Sequence, residues 1–216
     1  MAENNSAAVK MGIGIIGCGN ISEIYCKNLP TFDNLKLVAC ADLDHPRAVA
    51  RAEQFNIAAR SVDELLDSDK TFLIFGGGSA LIMRTYDKVN ERCVPHPMVW
   101  TGHPAWGDPV NHPWTMGSIL NYFTEAILWG SYIEQTLPKG TKVGAVVINN
   151  DFGAAYTAGF QAFLEQSDHE ITFEFEKFEP AAPTIKNEMT TIASKDPDVF
   201  IAMTAGITCT QAIIEA

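Results

Sequence analysis

The sequence predicts an α/β protein of two lobes, each a mainly parallel sheet flanked by helices, the second lobe incomplete. Three observations carry this. Short apolar runs alternate with segments of helical periodicity from residue 11 to the end. Glycines stand where strands hand over to helices, in "GIIGCGN" and "FGGGS". After Pro138, Lys139 and Gly140 the strand–helix alternation starts afresh. The expected lobes are therefore 1–138 and 139–216.

Taken in order, 11–19 and 35–42 are apolar runs, the first ending in glycine and the second in a carboxylate, as buried parallel strands do. Between them Ile21, Ile24, Tyr25 and Leu29 recur at helical spacing, and 46–55 opens with proline, which suits a first helical turn. Ser61 and Glu64 form a capping-box pattern that starts a helix over 61–69. A strand at 71–78, a helix at 80–92 and a strand at 96–102 follow. The loop 100–114 holds Trp100, Trp106 and Trp114, and a long helix is expected over 115–137. Beyond Gly140 come strands at 142–149, 171–178 and 199–204, and helices at 153–166, 183–194 and from 207.

Composition narrows the function. Hydrophobic residues make up 47% and charged residues 19%, which is globular, and no run reaches the ~18 apolar residues of a membrane span. Net charge is -11 and the basic residues are scattered, so nucleic acid is not an expected partner. Five cysteines without paired spacing point to neither a disulfide framework nor zinc. His103 and His112 flank the tryptophan loop but have no third ligand nearby. The polar start, MAENNSAAVK, has no apolar signal core, so a cytoplasmic location is expected.

Gly17-x-Gly19-x-x-Ser22 follows a strand and opens a helix. The first glycine permits a tight turn, the second lets a pyrophosphate approach the backbone, and helix amides at Asn20 and Ile21 face that anion. Asp42, 23 positions after Gly19, stands where a carboxylate accepts ribose hydroxyls; alternatively it caps the next helix. Residues 11–68 resemble the N-terminal segment of the Gfo/Idh/MocA oxidoreductases. That resemblance implies NAD held by Gly17, Gly19, Asn20, Ile21 and Asp42. It also implies a catalytic Glu-Lys-Pro motif, which this chain lacks: Glu176 and Lys177 are followed by Phe178.

From about Lys70 onward the chain resembles the type I periplasmic binding proteins of the branched-chain amino acid transport family, in "NDFGAAYTAGF" and "DPDVF" above all. This implies two Rossmann-like lobes closing on a small ligand. Gly78 and Ser79 stand at a strand-to-helix turn suited to a carboxylate, with Ser79 alternatively a plain helix cap. Thr101, Gly102 and His103 end the neighbouring strand and offer further donors. Phe152 takes the place where the family often sets a ligand-facing aromatic, and Ala205 and Gly206 fill the matching loop beyond Thr204.

The two resemblances meet near 64–72. The expectation is therefore a mosaic, engineered or natural, or a truncated chain. Its expected role is noncatalytic binding of an amino-acid-like molecule in an interlobe cleft, with an NAD-binding module as the alternative. An open sheet edge in the second lobe invites a homodimer.

Overall fold

The apolar run Met11–Ile16 forms β1, buried from Gly12 onward because strands lie on both sides of it. In this computed structural model, which describes residues 10–67 and 72–216, β1 pairs in parallel with β2 (Leu35–Ala41) and with β4 (Leu73–Phe75). The short β3 (Ala58–Arg60) extends the sheet beyond β2, giving the order β3-β2-β1-β4. Gly77 bridges Trp100 in parallel, and the Ile74 N–H donates to the Pro95 carbonyl at 2.9 Å. These contacts bring β5 (His96–Val99), and β6 (Thr115–Gly117) beside it, against β4.

The connecting helices are α1 (Ser22–Asn28), α2 (His45–Phe55), α3 (Val62–Leu66), α4 (Ser79–Met83) and α5 (Tyr86–Glu91). Ser61 and Glu64 complete the capping box expected of them. Ile13, Ile15, Leu37 and Cys40 pack on one face of the sheet, and Ile16, Ala39, Leu65 and Ile74 on the other. Each isoleucine or leucine among them contributes about 1.5–3 kcal/mol by leaving water.

A second sheet has the order β8-β7-β9, all parallel, from β7 (Lys142–Ile148), β8 (Thr172–Phe178) and β9 (Val199–Met203). Helices α6 (Tyr122–Thr136) and α7 (Asp151–Leu164) bury Tyr122, Tyr156 and Phe160 with Val143, Val147 and Met203. On the other face α8 (Lys186–Ala193) and α9 (Ile207–Glu215) pack Ile185, Met189, Ile192 and Ala212 on Val146 and Phe178. The α/β class with parallel sheets flanked by helices is thus the fold that the sequence predicts.

Several boundaries differ from expectation. The helix expected over 80–92 is two helices, because Thr85 N–H and hydroxyl both turn back to the Ile82 carbonyl, at 2.9 and 3.2 Å. The helix expected from 115 begins at Tyr122, where Asn121 caps it, and Thr115–Gly117 joins β5 as a strand. One compact unit runs through Thr101 and takes in Ala105–Ile119; the other comprises Gly102–Pro104 and Leu120–Ala216. The division thus precedes α6, whereas the restart after Gly140 suggests 138/139. The reason is aromatic packing on α7: Tyr122 and Trp129 each stack on Tyr156 at 4.7 Å.

The junction expected at 64–72 lies partly outside the described residues, as do the polar start at 1–9 and the first residue of the strand expected from 71. On either side of the junction the chain is in register, with Ile13↔Leu73 and Ile15↔Phe75. No helix among the described residues is long and apolar enough to cross a membrane.

Candidate functional site

In the first unit the strand order reverses between β1 and β4, the place in an open α/β sheet where ligands bind at the carboxyl ends of the strands. Both glycine turns lie there. Gly17 has φ +100°, a conformation that favours glycine, and its N–H donates to the Ala41 carbonyl at 2.8 Å. A Cβ on Gly17 would stand 2.3 Å from Leu81 Cδ2, so the first turn packs against the helix that follows the second.

Asp42 holds the first turn together. Its Oδ2 accepts the Cys18 N–H at 2.7 Å and its Oδ1 accepts the Asp44 N–H at 2.9 Å. Each oxygen retains a second lone pair for a ligand hydroxyl. The Gly19 carbonyl accepts the Ser22 hydroxyl at 2.6 Å and Arg51 Nη2 at 3.2 Å. Arg51, which the spacing of the motif does not single out, also donates to Gln54 at 2.7 Å and pairs with Glu23 at 3.5 Å. These bonds hold Gly19, Asn20 and Ile21 exposed at the crest. Ile21 occupies the cap position of α1 and supplies no side-chain cap. Beneath the turn Cys18, Cys26 and Cys40 are buried free thiols. A hydrogen bond with Cys40, then burial, holds the Cys18 thiol above the ordinary range, which favours the protonated thiol.

At the second turn Gly78 has φ +93° and takes the cap position, so Ser79 is the first helical residue and makes no capping bond. The Ser79 and Thr101 hydroxyls, both buried, lie 2.5 Å apart and bond to each other. The sequence reading places these two residues at the ends of neighbouring strands; the geometry joins them in a buried pair beside the exposed Gly77 and Gly78.

His96 lies within the same unit, only 1% exposed. Neither ring nitrogen has a partner in hydrogen-bonding geometry among the described residues. Burial pushes its pKa down to about 4, opposed by the nearby Gly76 backbone. His112 stacks on Tyr86 at 3.9 Å and reaches Asp87 at 3.0 Å and Asp108 at 3.5 Å. Burial, aided by Asp108 and Asp87, raises the Tyr86 phenol to about 12. His103 falls in the other unit, and burial lowers its pKa against the pull of Asp151. Among the described residues no three His, Cys, Asp or Glu side chains converge on a metal position.

In the second unit Asn150 caps α7, accepting the Phe152 and Gly153 N–H groups at 3.0 and 3.2 Å. Phe152 is half-buried, edge-on to Tyr122 at 4.9 Å and to Tyr156 at 5.1 Å. The Tyr156 hydroxyl donates to Glu125 at 2.6 Å. Gly102 is closed in: its carbonyl accepts the Tyr122 N–H at 2.7 Å, and a Cβ there would stand 2.2 Å from the Leu120 carbonyl oxygen. Ala205 is exposed, tied to Thr208 by bonds of 3.3 and 2.8 Å. The expected ligand residues thus divide between the units, with Gly78, Ser79 and Thr101 in the first and Gly102, His103, Phe152 and Ala205 in the second.

No family model matches the chain, and no curated protein does. Solved structures do match its fold. A possible leucine/isoleucine/valine-binding protein from Rhodopirellula baltica superposes with a TM-score of 0.69 at 14% identity, over 99% of this chain and 60% of that one. A periplasmic binding protein from Burkholderia mallei gives 0.66 at 16%, over 98% and 57%. A type 1 periplasmic binding protein from Bordetella pertussis gives 0.63 at 15%, over 94% and 57%. The chain therefore spans a little over half the length of these structures, and its parallel sheets flanked by helices match part of the type I periplasmic binding protein fold.

Proposed function

We propose that the chain binds a small carboxylate-bearing molecule, of amino-acid type, at the crest of its first unit and performs no chemistry on it. The observation that carries this reading is the placement of both glycine turns where the strand order reverses between β1 and β4. Exposed backbone at Gly19 and Asn20 offers donors at the first turn, and the buried Ser79–Thr101 pair, with the Gly77–Trp100 bridge, fixes the second. Solved proteins of this fold include ligand receptors, one of them described as a possible leucine/isoleucine/valine-binding protein. The missing Glu-Lys-Pro motif supports a noncatalytic role. A thermal-shift screen of amino acids and other organic carboxylates tests this. Stabilisation by a carboxylate, lost in Thr101→Val, is expected; a screen in which none stabilises the protein contradicts it.

A second reading rests on Asp42. Its carboxylate is held at the Cys18 amide, inside the first glycine turn, and on this reading Gly17, Gly19, Asn20, Ile21 and Asp42 hold the adenosine half of NAD. We read residues 11–68 accordingly as a segment of Gfo/Idh/MocA type set into a binding-protein frame, engineered or natural. The order β3-β2-β1-β4 is that of dinucleotide-binding sheets and supports this. NADH fluorescence enhancement that disappears in Asp42→Ala favours the second reading. Self-association through β9 belongs to the proposal too: its five residues carry no charge, whereas β8 carries Glu174, Glu176 and Lys177. Light scattering that reads a monomer removes it.

A further inference from the structure

At the opposite, N-terminal end of the first sheet, β3 is much shorter than β2. Pairing between them starts only at Ala39↔Ala58, which leaves the outer side of Lys36, Leu37 and Val38 without a neighbouring strand among the described residues. Two adjoining open depressions of about 450 and 460 Å³ lie along this gap and share Lys36, Leu37, Asn56 and Ile57. Leu37, Phe55 and Ile57 give the hollow an apolar wall. Its charged lining residues are Lys10, Lys36 and Arg60, with no carboxylate among them, in a chain that has 26 acidic residues to 15 basic ones.

The lysines have no other evident task. Neither Lys10 nor Lys36 enters an ion pair among the described residues, whereas Arg60 lies within electrostatic reach of Glu64. Lysines at such a place commonly serve the carbonyls at a helix end. Here the end of α2 is closed by backbone: Asn56 N–H donates to Glu53 at 3.4 Å and Ile57 N–H to Ala52 at 3.1 Å, with Asn56 left-handed at φ +51°. Two like charges without counter-charges beside an apolar hollow leave an anion with an apolar body as the complementary ligand.

We infer that this hollow is a second binding site, distinct from the glycine crest, for an amphipathic anion of the alkyl carboxylate class. The alkyl chain lies along Leu37, Phe55 and Ile57, and the carboxylate is held by Lys10 and Lys36. The test is an amide NMR titration of the whole chain with octanoate, with acetate and octanol as the two half-ligands. Saturable shifts at Leu37, Ile57 and Arg60 are expected, with affinity about tenfold weaker for each half-ligand and for the Lys10→Gln/Lys36→Gln double variant. Both lysines are exposed, so that variant folds, as an unchanged amide spectrum will verify. Absent or unsaturable shifts overturn the inference. So does equal octanoate affinity in the double variant, or acetate binding as tightly as octanoate.

Discussion

The Asp42 carboxylate accepts the Cys18 backbone N–H at 2.7 Å, across a sequence separation of 24 residues, and so locks the end of β2 to the first glycine turn. The same carboxylate accepts the Asp44 N–H at 2.9 Å, so one side chain closes two loops. Hydrogen bonds to an ionised acceptor contribute about 1.5–3 kcal/mol. Asp42→Ala is expected to lower stability in urea by about that much, and Asp42→Asn, which keeps one acceptor oxygen, by less. Equal stability of all three proteins would show that the turn holds itself.

Ser79 and Thr101 predict a coupling. Thr101→Val deprives the buried Ser79 hydroxyl of its partner and costs about 1–3 kcal/mol, whereas replacing both hydroxyls together leaves less unpaired. A double-mutant cycle with Ser79→Ala should therefore return a coupling energy above about 0.5 kcal/mol. Strict additivity would break the pair.

Gly17→Ala meets two obstacles, backbone at φ +100° and Leu81 Cδ2 at 2.3 Å from the new methyl. The first costs about 1–2 kcal/mol and the second about 1–3 kcal/mol. Adding Leu81→Ala should relieve only the steric share, as denaturant midpoints will read. Full recovery would mean that the left-handed turn is not required.

His96 makes stability depend on pH. Its folded pKa, about 4, lies below the ordinary 6.5 because burial disfavours the charged ring. The neutral ring is therefore the form the fold accepts. Its contribution is fully present above pH 6.5 and is lost as pH falls through the window from 6.5 to 4, up to roughly 3 kcal/mol. His96→Leu should flatten that part of the profile. A slope unchanged between pH 6.5 and 4 would contradict it.

Local signals were readable in the sequence and long-range ones were not. Ser61 and Glu64 announce their capping box, and the spacing from Gly19 to Asp42 places a carboxylate beside the turn, because each depends on residues close in the chain or on strand geometry that repeats. Arg51 is silent at that level: on α2 its spacing is that of an ordinary helix residue, and only packing brings it to the Gly19 carbonyl. The break at Thr85 is local but ambiguous, since a threonine hydroxyl bonds back to a carbonyl in continuous helices too. The position of α6 was hidden for another reason: Gly140 marks where an alternation restarts, while Tyr122 and Trp129 decide which sheet the helix covers.

The most direct test of the central claim is an amide NMR titration with L-leucine and, separately, NADH, read at the two glycine turns. A ligand at the β1/β4 crest should shift Gly17, Gly19, Gly77 and Ser79 together along one saturable curve. Spectra in which neither compound moves these four amides, or in which they move independently of one another, would contradict a shared site.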